Sequence, residues 1–478
     1  MGGFELSAAV NAKNVFLVKH SELESRIDPH QYHHERIGAI RAIKAKNKAA
    51  KLSQVVTSAK QITTEINPHD VYIGLENITS NTGEYIATGD KQSISSAGVF
   101  KKGQILFPKL RPYLNKVHLA GFDGICSTEF HIFQAKNINA EFLAIYLRSD
   151  LILNKTKHLM TGNTLPRLQT EDIEKLPVPL LSSEVQQKII EFYGDAYYQK
   201  QQKEQQAQTL LDGIDSYLLN ELGITLPQQD NRLEKRIFTV PFSEVAGGRI
   251  DPKLYDLTTK GIRSAIRTSL FKQKSLKELI THSSAGDWGD DEFDELSNDY
   301  LKCLVVRATE FDNEYNLKLD NSRVKYRLIH RDRLKFIDVK ANDLLIEKSG
   351  GSIDQPVGRI ALVTEEYIAE HQLCYSNFIH KIRVNQSVAS PEYLFYYLKL
   401  MHNIKLTEAM QSQTNGIRNL IMSSYFNQMV VLPEFKRQNE IATHISQIRA
   451  QAKQLQADAA QVLATAKAEI ERMILGEA

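Results

Sequence analysis

The sequence predicts an α+β protein built twice: two tandem α/β domains, each with a curved sheet, joined and spaced by two long antiparallel helices. Those helices are expected to form a coiled coil and to give the chain a pseudo-two-fold axis. Three observations carry the prediction: two long amphipathic stretches of matched length, a series of motifs repeated in the same order, and short β-rich runs between them.

The first amphipathic stretch, residues 184–222, places Val185, Ile189, Phe192 and Ala196 in steps of four and three, then resumes with Ala207, Leu210, Ile214, Tyr217 and Leu222. A polar gap at Gln199 and Lys203 separates the two runs. Such spacing lays an apolar stripe along one side of a helix and calls for a partner helix. Ser183 with Gln186 three residues on reads as the N-cap, and Gly223 followed by Pro227 as the stop. Residues 437–475 repeat the design with Ile441, Ile445, Ile448, Ala452, Leu455, Ala459, Val462 and Ala466, ending at Leu475-Gly476. Each helix would be roughly 58 Å long.

The repetition extends through the chain. Arg26-Ile27-Asp28-Pro29-His30-Gln31-Tyr32, after Ser21-Glu22-Leu23, returns as Arg249-Ile250-Asp251-Pro252-Lys253-Leu254-Tyr255 after Ser243-Glu244-Val245, an offset of 223. Cys126-Ser127-Thr128-Glu129-Phe130 returns as Cys374-Tyr375-Ser376-Asn377-Phe378, an offset of 248. The run 141–147, EFLAIYL, answers EYLFYYL at 392–398, and Leu168, Gln186 and Ile189 match Leu420, Gln438 and Ile441 at 252. The offset grows early and then holds, so the frame and the helices are shared while the interiors diverge. A chain of this kind does one job twice on two different targets.

Within each copy the Asp-Pro pair reads as a cap with proline in the first helical turn, opening helices over about 30–50 and 253–270. The two RIDPxxY motifs are expected to fix a helix start, with aspartate as cap and tyrosine as packing. Strand-like runs follow at 71–79, 103–110 and 125–133, and in the second copy at 300–308, 342–349 and 376–384. A polar linker, 226–236, separates the copies.

Length and composition set bounds. A chain of 478 residues exceeds a single core. No apolar run approaches the ~20 residues of a membrane span. The opening MGGFELSAAV lacks the regions of a signal peptide, and Leu6 stands where a myristoylation site carries Ser or Thr. The three cysteines, Cys126, Cys303 and Cys374, form no CxxC pair and read as buried thiols in a reducing cytosol. The net charge of +2 confines any nucleic-acid surface to local patches.

Catalytic signatures are missing. The sequence has no Gly-Lys dipeptide, no GxGxxG, no Pro-Pro dipeptide and no HExxH. His33-His34, without a companion cluster in the sequence, reads as a solvated helix face rather than a metal site. The chain is therefore expected to be non-catalytic.

Basic residues do gather in the two divergent interiors. The first copy offers Lys101, Lys102, Lys109, Arg111, Tyr113, Asn115 and Lys116 around a strand and its turn. The second carries Arg323, Lys325 and Arg327 at period two, then Arg331, Arg333 and Lys335 beside His330, with Lys348 further on. Period two puts the first three on one strand face, suited to a phosphate backbone, and arginine also reads guanine by a bidentate fork. The competing reading is a solvated outer sheet face. Two such patches at comparable depth in two repeats favour DNA contact. The acidic loop 286–299 around Trp288 would repel DNA and reads as an insertion or a partner-facing segment.

TGNTLPRLQTEDIEKLPVPLLSSEVQQKI (161–189) resembles the end of a target-recognition domain and the conserved spacer of Type I restriction-modification specificity subunits. GQILFPKLRPYLNKV, GICSTEF and EFLAIYLRS are similar to that family too. The second half departs from it, with VVLPEFKRQNEIATHI at the helix entrance and LIEKSGG where the first half has LFPKLRP. The resemblance implies target-recognition domains at 1–180 and 237–433 and conserved spacer helices at 181–225 and 434–478. It implies a double-stranded DNA ligand read as an asymmetric bipartite target, two methyltransferase subunits, and restriction (translocase) subunits in a prokaryotic cytoplasm. S-adenosylmethionine, ATP and magnesium would belong to those partners, leaving this chain with no cofactor. Three alternatives stay open: a coiled-coil adaptor that binds protein only, a nuclease or methyltransferase with a degenerate site, and a stand-alone DNA-binding regulator.

Overall fold

The computed structural model describes residues 32–477 other than 60, 68, 88–93, 161–165, 229–231, 247–248, 292–297, 313–315, 353–354 and 415, together with residues 7, 10, 11, 15, 17, 18, 20 and 23. The chain divides into two compact units, one made of residues 1–205 with 455–478, the other of 206–454. Each long helix therefore contributes to both units. Among the described residues no helix is long and apolar enough to cross a membrane.

The first unit opens with the helix His34–Lys46. An antiparallel sheet follows in the order Val56–Ala59, Phe130–Ala135, Ile105–Pro108, His118–Leu119. A second sheet runs Ile62–Thr63, Ala97–Phe100, Gly124–Cys126, Tyr72–Ile73, and its last pair is parallel. The strand Ile105–Pro108 is buried along its whole length because it serves two cores. Alternation sends Ile105 and Phe107 into the cluster around Phe142, Tyr146 and Ile189, and Leu106 into a smaller one with Ile73 and Phe100. Each such side chain, fully buried, contributes about 1.5–3 kcal/mol. The larger core is completed by Leu463, Ile470 and Ile474 from the far end of the chain.

The second unit repeats the first sheet strand for strand: Ile280–Ala285, Ile379–Val384, Asp343–Glu347, Ile360–Leu362, all antiparallel. Its central strand makes the same division, Leu344 and Ile346 to one core and Leu345 to the other. The companion sheet differs. Here Tyr300–Val306 is the middle strand, antiparallel to Lys325–His330 and parallel to Leu373–Tyr375. The single curved sheet expected per domain is thus divided: each unit has two main sheets, because a strand apolar on both faces needs a cover on each side, with smaller two- and three-stranded sheets beside them.

The matched sequence positions turn out to be matched bonds. Gln186 accepts from the Asn139 backbone N–H at 3.0 Å and donates to the Leu181 carbonyl at 2.9 Å. Gln438 accepts from Ser390 at 2.9 Å and donates to Pro433 at 2.9 Å. The hydroxyl of Tyr146 reaches the Pro177 carbonyl, and that of Tyr397 the Met429 carbonyl at 2.8 Å. These bonds fasten the aromatic helices Ala140–Leu147 and Pro391–Asn403 to the roots of the long helices.

The long helices span Ser183–Glu221 and Phe435–Leu475. The N-cap of the first lies one residue earlier than expected: Ser182 Oγ accepts from Val185 N, because the Gln186 side chain is committed to Asn139 and Leu181. Gly223 and Gly476 end the two helices with φ of 61° and 67°, the left-handed conformation that glycine adopts without a Cβ penalty. Within the second unit the ring of Tyr217 meets His444 at 4.6 Å, and Glu221 one turn on pairs with Arg437, so the two segments run antiparallel there. Within the first unit Lys203 faces Asp458 at 3.8 Å.

The second RIDPxxY motif behaves as expected. Asp251 caps the turn Pro252–Tyr255 by accepting from Lys253 N, and Tyr255 donates to the Arg249 carbonyl at 2.9 Å. The predicted helix over 253–270 is interrupted at Asp256, which caps a separate helix, Leu257–Arg267. Residues 26–31 of the first motif lie outside the described residues; Tyr32 is buried.

Candidate nucleic-acid interface

In the first unit a tight turn carries Lys101 and Lys102, both exposed. Asp123 organises it, accepting from Lys102 N at 2.8 Å and pairing with the Lys101 ammonium at 3.1 Å. Beyond the strand, Arg111 and Asn115 take left-handed backbone conformations on either side of the short turn Pro112–Leu114. That turn thrusts Arg111 and Tyr113 into solvent, Tyr113 at 46% exposure. Lys109 is half-buried, and the Lys116 ammonium donates to the Leu75 carbonyl at 2.8 Å.

Asn115 is corrected. It is 3% exposed and its amide donates inward to the Arg148 carbonyl and to Asn81, so it supports the turn instead of reading a base. Arg167 joins the patch in its place. Backbone bonds from Arg111 to Pro166 and from Leu168 to Lys109 bring it alongside, with its guanidinium forked onto Glu129 at 2.7 and 3.2 Å. Nothing local in the sequence singles out Arg167, because the juxtaposition crosses more than fifty residues of chain.

In the second unit the strand begins at Lys325, so Arg323 belongs to the preceding turn and the three-residue face is two residues long. Lys325 and Lys335 are exposed, the latter paired with Asp332 at 2.8 Å. Lys348 is half-buried, its backbone bonded to Phe378 and Leu420. The pair of half-buried Arg359 with buried Glu347, at 2.9 Å, anchors the residue before it.

The acidic segment has an address. Asp290 exchanges two backbone hydrogen bonds with Leu328, so residues 287–291 lie along the outer edge of the basic strand. Gly289, at φ 68°, permits the approach: a Cβ there would sit 2.6 Å from the Leu328 carbonyl oxygen. From this position the segment takes up three of the predicted arginines. Arg327 pairs with Asp291 and lies 5.0 Å over the Trp288 ring. Arg333 pairs with Asp287 at 3.2 Å, and Arg331 donates to the Asn298 carbonyl. The segment that would repel DNA is held on the patch that would attract it. Converting Asp287 and Asp291 to asparagine is expected to tighten retention of non-specific duplex about three- to tenfold at low salt, an effect that fades as salt screens it. A titration of labelled duplex at two salt concentrations measures this; unchanged affinity at both would show that the loop does not compete.

No catalytic group emerges from the described residues. Burial pushes the thiols of Cys126 and Cys374 up to about 12 and that of Cys303 to about 11, leaving no thiolate. His33 is not on a solvated face. It stacks on His158 at 3.9 Å, and the ligand-type atoms of His33, Glu35 and His158 lie within 4.8 Å of one another. Lys157 also sits 2.7 Å from the Glu35 oxygen that meets His158 at 2.9 Å. Hydrogen bonds from Lys157 and then His158 hold that carboxyl at about 2. Its charge is answered by the protein, and the cluster staples the first helix to residues 157–158.

Fold and surface together define a duplicated binding protein: one frame used twice, carrying two unlike basic interiors. A family model described as the Type I restriction modification DNA specificity domain matches residues 45–210 and again 268–463. The chain belongs to that family and carries its DNA specificity domain twice. The two matches start 223 residues apart (268 − 45) and end 253 apart (463 − 210), the same drift seen in the repeated motifs.

The chain is 30% identical over 136 residues to the Type I restriction enzyme EcoDI specificity subunit of Escherichia coli; the match spans 27% of this chain and 30% of that protein. Among solved structures, a chain from a type I R-M system is 18% identical, covers 91% of this chain and 98% of its own length, and superposes with a TM-score of 0.51, which identifies a shared fold. The HsdS subunit from Thermoanaerobacter tengcongensis, also 18% identical, covers 90% and 97% with a TM-score of 0.37.

Proposed function

We propose that each recognition domain, residues 1–180 and 237–433, reads one half of an asymmetric bipartite DNA target. The long helices, with their flanks at 181–225 and 434–478, act as an antiparallel coiled-coil ruler about a pseudo-two-fold axis, with 226–236 as the linker between copies. They also dock two methyltransferase subunits, and restriction subunits complete the assembly in the prokaryotic cytoplasm. S-adenosylmethionine, ATP and magnesium are used by those partners. One observation carries the reading: the first sheet is the same in both units, strand for strand, while the companion sheets differ and the basic residues sit differently, in turns beyond Phe100 and Pro108 in the first unit and mainly along and after Lys325–His330 in the second. A shared frame with unlike interiors suits two readers of unlike sequence.

The DNA-facing set in the first domain is Lys101, Lys102, Lys109, Arg111 and Tyr113, with Lys116 at its margin. In the second it is Arg323, Lys325, Lys335 and Lys348, joined by Arg327, Arg331 and Arg333 when DNA displaces the acidic segment. Phosphate contacts on this scale imply a steep salt dependence, a loss of about 10³–10⁵ in affinity between 50 and 200 mM salt for six to ten contacts. The family match favours this over an adaptor that binds protein alone. The test is adenine-methylation mapping in cells expressing the chain with its cognate methyltransferase subunit. The expected result is one asymmetric two-part motif; a single palindromic motif, or none, would count against the proposal.

A further inference from the structure

The bonds that repeat between the two units bring one further pair of side chains into register. Lys109 and Lys348 each follow the central strand of their unit, and the same two backbone hydrogen bonds hold both. Lys109 N donates to the Glu129 carbonyl at 2.8 Å, and the Lys109 carbonyl accepts from Leu168 N at 2.9 Å. Lys348 N donates to the Phe378 carbonyl at 2.8 Å, and the Lys348 carbonyl accepts from Leu420 N at 2.7 Å. Leu168 and Leu420 are buried in the larger core of each unit, which pins the register. The residue before that leucine is Arg167 in the first unit and Asn419 in the second. Each lies directly across from the residue after the lysine, Leu110 or Ser349. The frame therefore presents one lysine that is the same in both units and, beside it, one position that differs.

That difference has a chemical sense. Phosphate contacts position a protein on a duplex and carry no sequence information, whereas base edges are told apart by matched donors and acceptors. An unchanged lysine suits the first task. Arginine and asparagine are the side chains that read guanine and adenine, each through two hydrogen bonds in the major groove. Both are oriented before any base arrives. Glu129 grips the Arg167 guanidinium at Nε and Nη2, at 3.2 and 2.7 Å, which sets its plane. The buried Ser349 hydroxyl donates to Asn419 Oδ1 at 2.6 Å, which sets the amide, and a carbonyl oxygen with two lone pairs still accepts from an adenine amino group. Arg167 is exposed and Asn419 half-buried.

We infer that this shared position decides one base pair in each half-site: Arg167 reads a guanine in the first and Asn419 an adenine in the second, with Lys109 and Lys348 on a neighbouring phosphate. The inference rests on the proposed function, which gives each domain one half-site.

The test is competition binding by the full chain, in complex with its cognate methyltransferase subunit. The competitors are duplexes in which each base pair of the methylated motif is changed in turn. Arg167→Ala loses about tenfold or more of discrimination at one G·C pair of the first half and at no other pair. Asn419→Ala loses as much at one A·T pair of the second half, and its retention of non-specific duplex is unchanged because no charge is removed. Asn419→Asp keeps the shape and the Ser349 bond, lacks the donor for adenine, and loses the same pair, so the result does not depend on how Asn419→Ala folds. Failure of a variant to flatten any single pair would overturn the assignment of that residue. A loss spread evenly over all pairs of a half would overturn it too, since that is the mark of a structural or phosphate-binding role. A wild-type complex that retains every duplex equally would instead sink the proposed function.

Discussion

Replacing residues 1–180 with the corresponding segment of a related subunit changes one half of the methylated motif and leaves the other half as it was. The expected change is complete, a new half-site in place of the old. Everything exposed and basic in the first interior, from Lys101 to Arg167, lies inside the exchanged segment, and none of the second interior does. The exchange succeeds only if the incoming segment keeps the frame. It must offer a backbone N–H to Gln186, as Asn139 does at 3.0 Å, and a tyrosine hydroxyl to the strand at 177–179, as Tyr146 does. It must also pack against Leu463, Ile470 and Ile474, which remain from the native chain. Methylation mapping of the chimera reads the outcome. Alteration of both halves, or of neither, would rule out independent readers.

Asp343→Ala is expected to destabilise the second unit by about 3–5 kcal/mol, the usual consequence of stripping the partner from a buried charge. Asp343 and Lys381 are both fully buried, 3.2 Å apart, and Arg383 forks onto the same carboxylate at 2.7 and 2.8 Å. Removing Asp343 leaves the buried Lys381 ammonium with only the Asp338 carbonyl for a partner, while Arg383 keeps the Asp338 carboxylate. Lys381→Met removes one cation and leaves Arg383 to satisfy the carboxylate, so its cost is smaller, about 0–2 kcal/mol. Urea denaturation of the two variants checks the difference, and equal losses would contradict it.

The adjoining Asp338 adds a pH dependence. Burial raises its carboxyl, but hydrogen bonds from Arg383 and Lys340 outweigh that and hold it at about 2. Its folded value lies below the unfolded one, so the stability it contributes is present above about pH 4 and is lost as pH falls towards 2.

Much of the frame was legible because its signals are local or periodic. The steps of four and three along the long helices, the glycines at 223 and 476, and the aspartate that caps Pro252 each express chemistry acting over a few residues. Repetition added a second source of evidence. Gln186 and Gln438 stood out only as identical residues at a constant offset, and the structure shows why they are identical: each closes the same pair of backbone bonds. The three cysteines read correctly as buried.

The candidate site was legible as a composition of charges and much less as a surface. Asn115 carries the residue type that reads adenine, yet its left-handed backbone turns the amide to Arg148 and Asn81. Arg327 keeps its place on the strand but is 14% exposed, because the segment 287–291, distant in sequence, lies against it. Arg249 and Gln411 come together across 162 residues of chain.

By itself, then, the sequence determined the doubled plan, the two rods with their starts and stops, the buried thiols and the family, all of which follow from spacing and repetition along the chain. Tertiary structure alone decided which basic side chains face water and which are held by the acidic segment. Those outcomes depend on which distant segments meet, and charge and hydrogen bonding act across space without regard to the length of chain between.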